Sequence, residues 1–234
     1  MMKRSTVNRV IETAKEVFAT VGMKLPPFAG WTVEDWKSKG PEYDEIRQCL
    51  LGWDVTDFGQ GNFEVIGRVL FTLRNGAKTY ASGKDYAEKL ILDPENQKPP
   101  RHYHRHKMED IINRGGGNIL VRLCRATPDG QESPEDFTMQ VNGVTTPIKS
   151  GQILRLTPGE SLCIPPRTIH QFWGEEGTGI KIGDKRYTVS GEVSRVCDDF
   201  DDNCWLEPCE RFCTFDEDEV RKHYLVHEYP AAQS

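Results

Sequence analysis

A chain of 234 residues, 37% hydrophobic and 28% charged, reads as a folded protein of one large domain or two small ones. Its formal net charge of −6 disfavours a nucleic-acid binder, which would carry a basic face. No apolar run reaches the roughly 18 residues of a membrane span, and the basic start MMKRSTVN lacks the apolar core of a secretory signal, so a cytoplasmic protein without nucleic-acid or membrane partners is expected.

Residues 5–21 carry Val7, Val10, Ile11, Ala14, Val17, Phe18 and Val21 at helical spacing, with Ser5 or Thr6 as cap and Gly22 as stop. Pro26-Pro27 prevents resumption. Thr32 then caps a short helix with Asp35 at its third position, and Pro41 opens another to about Leu50. A helical segment over residues 1–50 is therefore expected to pack on the remainder of the chain.

From Trp53 the texture changes. Segments 53–58, 63–73, 89–92, 119–123, 137–141 and 153–156 alternate apolar and polar, the first as a half-buried strand. Asn75-Gly76, Asp129-Gly130, Asn142-Gly143 and Pro158-Gly159 punctuate them. Short strands without intervening helices predict an antiparallel sandwich, barrel or jelly roll over 51–234. Gly115-Gly116-Gly117 predicts a sharp turn of the backbone next to the site. The acidic run 198–203 reads as a solvated loop in preference to a cover over a polar ligand.

Seven cysteines, an odd number with no CxxC pair, read as reduced thiols. Cys197, Cys204, Cys209 and Cys213 are spaced by seven, five and four residues, which matches no zinc pattern.

The richest chemistry lies in His102-Tyr103-His104-Arg105-His106-Lys107-Met108-Glu109, answered by Pro165-Pro166-Arg167-Thr168-Ile169-His170. Alternation puts His102 and His104 on one face of a strand, and a short bend lets Glu109 swing back to it. With His170 these make three imidazoles and a carboxylate, a set suited to divalent Mn, Fe, Co, Ni or Zn with positions left for substrate. His106 shares the alternation, and either replaces Glu109 as a ligand or lies beyond the strand end.

The two segments resemble the paired metal motifs of the cupin superfamily. There a double-stranded β-helix carries two histidines and a glutamate on one motif and a third histidine on the next. The interval from Pro165 to His170 is kept; Arg167 stands where cupins usually have glycine, and a different turn is expected there. A closer resemblance runs through residues 107–117 (KMEDIINRGGG), 191–194 (GEVS), Asp198, Asp199 and Asn203, and an acidic stretch at 212–219. On these motifs the chain is similar to the D-lyxose isomerase family of cupins over most of its length.

That resemblance implies an all-β cupin barrel with a helical N-terminal segment, and a manganese-dependent aldose–ketose isomerase, usually a homodimer. Its substrates would be free sugars, D-lyxose and D-mannose, giving D-xylulose and D-fructose. Such a reaction needs an enediolate to be stabilised and a base to move one proton between C1 and C2. Lys107, between two ligands, is expected to have its pKa lowered by the dication and to donate to a sugar oxygen or transfer a proton; otherwise it is solvated. Glu217, then Glu207, are the candidate bases. Arg114 and Arg167 are candidates for binding sugar hydroxyls, or else surface ion pairs. The rival functions are a phosphosugar isomerase, which needs a cationic phosphate cradle, an iron-dependent dioxygenase on the same ligands, and a non-catalytic sugar-binding cupin.

Overall fold

The computed structural model describes residues 1–77 and 80–232. A two-residue strand, β1 (Met2–Lys3), precedes the long helix α1 (Arg4–Thr20), so the first 50 residues are not wholly helical. The apolar stripe of α1 is buried as its spacing requires, and Gly22 at φ +81° ends it. Neither Ser5 nor Thr6 is the cap. Ser5 lies inside the first turn, where its backbone N–H and its hydroxyl donate to Asp218 at 2.9 and 2.7 Å. A carboxylate from the far end of the chain thus satisfies a donor that a local cap would have taken.

Thr32 does cap α2 (Val33–Trp36) through a reciprocal capping box with Asp35, and Pro41 opens a 3-10 turn leading into α3 (Asp44–Gln48). The segment 63–73 is not one strand. It splits into α4 (Phe63–Ile66) and β3 (Arg68–Arg74) at Gly67, where a Cβ would lie 2.5 Å from the Phe63 carbonyl oxygen.

Before α4 comes β2 (Gly52–Thr56); after β3 come β4 (Tyr86–Pro94), β5 (His102–His104), β6 (Glu109–Gly115) and β7 (Ile119–Arg125). The hairpin β8 (Phe137–Val141) and β9 (Val144–Ile148) turns at Asn142-Gly143, both at positive φ. Next are β10 (Ile153–Leu156), β11 (Ser161–Ile164), β12 (Thr168–Gly174), β13 (Ile180–Ile182) and β14 (Lys185–Arg195). The chain closes with β15 (Asn203–Trp205) and β16 (Phe215–Asp216).

Two antiparallel sheets face each other. One runs β2-β3-β4-β14-β6-β11-β8-β9 with β13 beside β14; the other runs β10-β7-β12-β5-β15. This is the expected jelly-roll barrel. One end of the interior is apolar, filled by residues such as Ile119, Leu123, Leu162 and Phe172. At β2, β3, β4 and β14 the first sheet is buried on both faces. Val55, Val69, Phe71 and Leu92 pack outward under α1, while Asp54, Leu70 and Ile91 point into the barrel. For that reason β2 is buried at every residue and not half-buried as its alternation predicts. Gly115 and Gly116 do turn sharply, at φ +123° and +94°, but at the opposite end of β6 from Glu109. At about 3.3 Å per residue that separation is roughly 20 Å, so the turn does not adjoin the site.

The chain ends are clasped together. β1 pairs in parallel with β16, and the fully buried Arg4 guanidinium lies between Glu217 at 2.8 Å and Glu228 at 2.6 Å. Replacing Arg4 with Met leaves Glu228 with the Leu225 backbone N–H at 3.0 Å and, as its cation, only the more distant Arg221 at 3.3 Å. The expected loss is about 3 kcal/mol, the low end for breaking a buried pair, measured by denaturant unfolding. Glu217→Gln should cost less than about 1 kcal/mol, because that carboxylate is half exposed. Hydrogen bonds from Arg4, then Arg221, hold Glu217 at about 2, below its ordinary 4.5. Its contribution is therefore complete above pH 4.5 and fades as pH falls from 4.5 towards 2. Melting curves of the two proteins should converge over that window; a gap that persists at pH 2 would contradict the pairing.

Candidate functional site

β5 and β12 are adjacent in the second sheet, and His170 stands directly opposite His102 in their register. Alternation along β5 adds His104 to the same interior face. The ring centroids of His102 and His170 are 4.3 Å apart, and the ligating nitrogens of all three histidines lie within 4.8 Å of one another. Glu109 begins β6 in the facing sheet and crosses the interior. Its Oε1 approaches His170 Nε2 to 2.9 Å and His104 Nε2 to 3.4 Å.

These residues fit a divalent cation. His104 Nδ1 and Nε2 and Glu109 Oε1 are buried without a hydrogen-bond partner, a condition costing about 1–3 kcal/mol per group unless something else takes it up. The Nδ1 of His102 faces the Pro100 carbonyl at 3.4 Å, and that of His170 faces the Thr168 carbonyl at 3.0 Å. A carbonyl only accepts, so each Nδ1 carries the proton and each Nε2 keeps its lone pair for a metal. Burial, with the other imidazoles, holds His102 well below the usual histidine range, and His104 is lowered too, first by burial and then by Lys107. Burial alone would raise Glu109, but Lys107 and the two histidines beside it outweigh burial and keep it well below the carboxylate range. Neutral imidazoles and an ionised carboxylate are the protonation state that ligation needs.

After His104 the strand ends, and with it the alternation that gave His106 a place. Asp202 accepts the backbone N–H of His106 at 2.8 Å and of Lys107 at 3.1 Å, fixing a turn that sends His106 outward and Lys107 inward. Lys107 is buried, not solvated, with its Nζ 2.6 Å from Glu109 and 2.7 Å from Glu192. Burial opposes its charge, but the Cys197 sulfur and these two carboxylates prevail, and the ammonium is held well above its usual range. The lowering expected beside a dication is thus opposed by carboxylates in direct contact.

The acidic run is only partly solvated. Asp202 is buried at that turn, and Asp199 lines the cavity and pairs with Arg211. Cover is the better description of these two residues; Asp201 and Phe200 are exposed.

The four remaining candidates do not line the cavity. Glu217 is held in the clasp with Arg4. Glu207 pairs with Arg101 at its rim-side exit from β15. Arg114 packs over Gly191, on the face of β6 opposite to Glu109's. Arg167 donates to the Thr127 and Pro128 carbonyls. Arg167 sits at φ +60°, the left-handed region that glycine favours, so the turn keeps the glycine conformation instead of differing from it. Among the described residues the metal-ligand grouping is the three histidines alone, so Cys197, Cys204, Cys209 and Cys213 form no zinc site.

Several cavity residues were given no site role from the sequence. Glu192 on β14 and Lys89 on β4 are cross-strand partners, 3.5 Å apart. Asp54, Arg211 and Trp205 complete the walls, with the Trp205 ring 4.7 Å from that of His102. The available signal was a charge set within a strand otherwise buried, as in Lys89-Leu90-Ile91-Leu92. A buried charge requires a partner, and two such strands predict a pair.

A family model described as D-lyxose isomerase matches residues 2–229. Relatives named D-lyxose/D-mannose isomerase, from Escherichia coli O157:H7 and Serratia proteamaculans, are each 42% identical, covering 97% of this chain and 98% of their own. Among solved structures, L-ribose isomerases share the fold. That of Cellulomonas parahominis is 15% identical with TM-score 0.55, and that of Geodermatophilus obscurus is 14% identical with TM-score 0.56; each match covers 89% of this chain and 94% of the other.

His170→Ala removes one of the three clustered imidazoles and the 2.9 Å contact to Glu109 Oε1. After dialysis against manganese and then buffer, the variant should keep less than about a tenth of the metal held by the unaltered protein. Its melting temperature should not respond to added manganese, whereas that of the unaltered protein should rise. Full metal retention would remove His170 from the ligand set.

Proposed function

The chain belongs to the D-lyxose isomerase family, and from that premise we propose that it interconverts D-lyxose with D-xylulose, and D-mannose with D-fructose, through an enediol. The observation that carries this reading is a buried carboxylate and a buried ammonium in contact, Glu192 and Lys107, beside three clustered histidines and Glu109 in one cavity. The cavity has a volume of about 70 Å³. At roughly 10–15 Å³ for each water, that admits several waters, the scale of a small molecule and not of a polymer.

His102, His104, Glu109 and His170 would hold the ion, and manganese is the ion we propose. When bound, it supplies a Lewis acid that polarises the carbonyl and a positive charge for the enediolate. The chain's own groups handle the proton. Burial would raise Glu192, yet Lys107 and Lys89 outweigh burial and hold it at about 2, so it is ionised at neutral pH. Lys107 is correspondingly protonated. Glu192 is thus poised to take the C2 proton and return it at C1, while Lys107 donates to the adjacent oxygen.

A carboxylate held this low is a weak base while its lysine stays in contact. Drawing Lys107 towards a sugar oxygen removes that stabilisation, so substrate binding itself makes Glu192 more basic. Ser194 donates to Glu192 Oε1 at 2.8 Å and helps to orient it.

Free sugars are favoured over phosphosugars. Arg68, Lys89, Lys107 and Arg211 line or border the cavity, and each faces a carboxylate, which would repel a phosphate. All seven cysteines are free, in keeping with a cytoplasmic setting. A homodimer belongs to the same proposal on the family resemblance, and sedimentation tests it.

Manganese-loaded protein should convert D-lyxose to D-xylulose, and chelation should abolish the conversion. Glu192→Gln should lower kcat by about 10²- to 10⁴-fold, the range for losing a positioned acid–base group, with metal content unchanged. Turnover in deuterated water should place solvent deuterium in the product. Folded, metal-loaded protein inactive on both lyxose and mannose would refute the reading, and absence of label would replace the enediol by a hydride shift.

A further inference from the structure

We propose that Asp54 and Arg211 form a second recognition point in the cavity, a donor–acceptor pair that reads sugar hydroxyls remote from the reacting carbons. The proposal rests on the aldose isomerase reading and extends it to specificity.

Five buried side-chain atoms among the described residues lack a hydrogen-bond partner, and all belong to residues lining this one cavity. Three are the His104 nitrogens and Glu109 Oε1; a metal would take one of those nitrogens and Oε1, and the Nδ1 of His104 lies 3.8 Å from Asp202 Oδ2. The other two are Asp54 Oδ1 and Arg211 Nη1. Asp54 is 2% exposed and comes from β2; Arg211 comes from the tail between β15 and β16. Neither belongs to the strands that carry the metal ligands.

Half of each group is already committed. Arg211 Nη2 donates to Asp54 Oδ2 and, at 3.1 Å, to Asp199 Oδ2. This restrains both groups and leaves one acceptor on Asp54 and one donor on Arg211 without a partner, in residues that line the same cavity. Unmade hydrogen bonds to buried charged groups are expensive, so a ligand able to make both at once is favoured. A hydroxyl is such a ligand, since it accepts from Nη1 and donates to Oδ1. A phosphate lacks the proton for Asp54, and an apolar group offers neither. The chemical class is a polyol chain, engaged at its far end while C1 and C2 meet the metal.

The test uses the full-length, manganese-loaded protein and xylitol, an open-chain polyol that cannot isomerise. In Asp54→Asn the amide oxygen must face Arg211, so the NH₂ turns to the cavity and an acceptor becomes a donor. Arg211→Lys keeps a cation for Asp54 and Asp199 but deletes Nη1, and it serves if the first variant folds poorly. Calorimetry should show xylitol affinity falling about 10- to 100-fold in each variant, the range for a hydrogen bond to a charged group, with manganese affinity unchanged. For D-lyxose the same loss should fall on KM.

Unchanged xylitol affinity in a folded variant would overturn the proposal. So would manganese affinity falling in parallel, which marks a purely structural role, or an unaltered protein that does not bind xylitol. If the unaltered protein binds xylitol and the variants do not, yet lyxose and mannose are never converted, the isomerase reading fails while the recognition pair stands.

Discussion

The structure depends on one constraint: charges enclosed between two sheets must be matched. Arg68, Lys89, Lys107 and Arg211 reach into the barrel, and Asp54, Glu109, Glu192 and Asp199 answer them. Water is largely excluded there, so an unmatched member would be far costlier than at the surface. Matching fixes geometry as well as energy. Lys107 holds Glu109 at one side and Glu192 at the other, so two carboxylates from different strands are positioned by one ammonium. Arg68 is answered by the buried Asp93, so five carboxylates stand against these four cations.

The site is assembled from parts that are distant along the chain. β5 and β12 supply imidazoles, β6 and β14 supply carboxylates from the opposite sheet, and the segment after β14 supplies Asp199, Asn203, Trp205 and Arg211. This last segment has little regular structure. Its position is secured by β15 pairing with β5, by Asp202 at the turn that aims Lys107, and farther on by the Arg4 clasp. The helix α1 covers the outer face of β2, β3, β4 and β14, which lets their inner face carry charge without exposing the sheet to solvent.

Local chemistry was legible where a residue's role is set by its neighbours in sequence. The stripe of α1, the Thr32 box, the Asn142-Gly143 hairpin and the His102/His104 alternation all follow from periodicity and turn preference. The same local reasoning erred at Ser5, where Asp218 replaced a cap, and at residues 63–73, where Gly67 broke a strand. It erred again over Glu217 and Glu207, whose acidity is spent on Arg4 and Arg101 in ion pairs. No pattern within a segment reports a partner a hundred or two hundred residues away, as for Arg101 and Arg4.

What the sequence determined by itself was which histidines share a face and the β-rich frame around them. Spacing along a strand decides which side chains share a face, and that is a property of the backbone alone. Only the tertiary structure decided which carboxylates line the cavity, that Lys107 is a buried, doubly paired ammonium, and that Asp54 and Arg211 share the cavity. Those outcomes depend on which strands become neighbours and on how buried charges pair across them, a balance struck only once the barrel has closed.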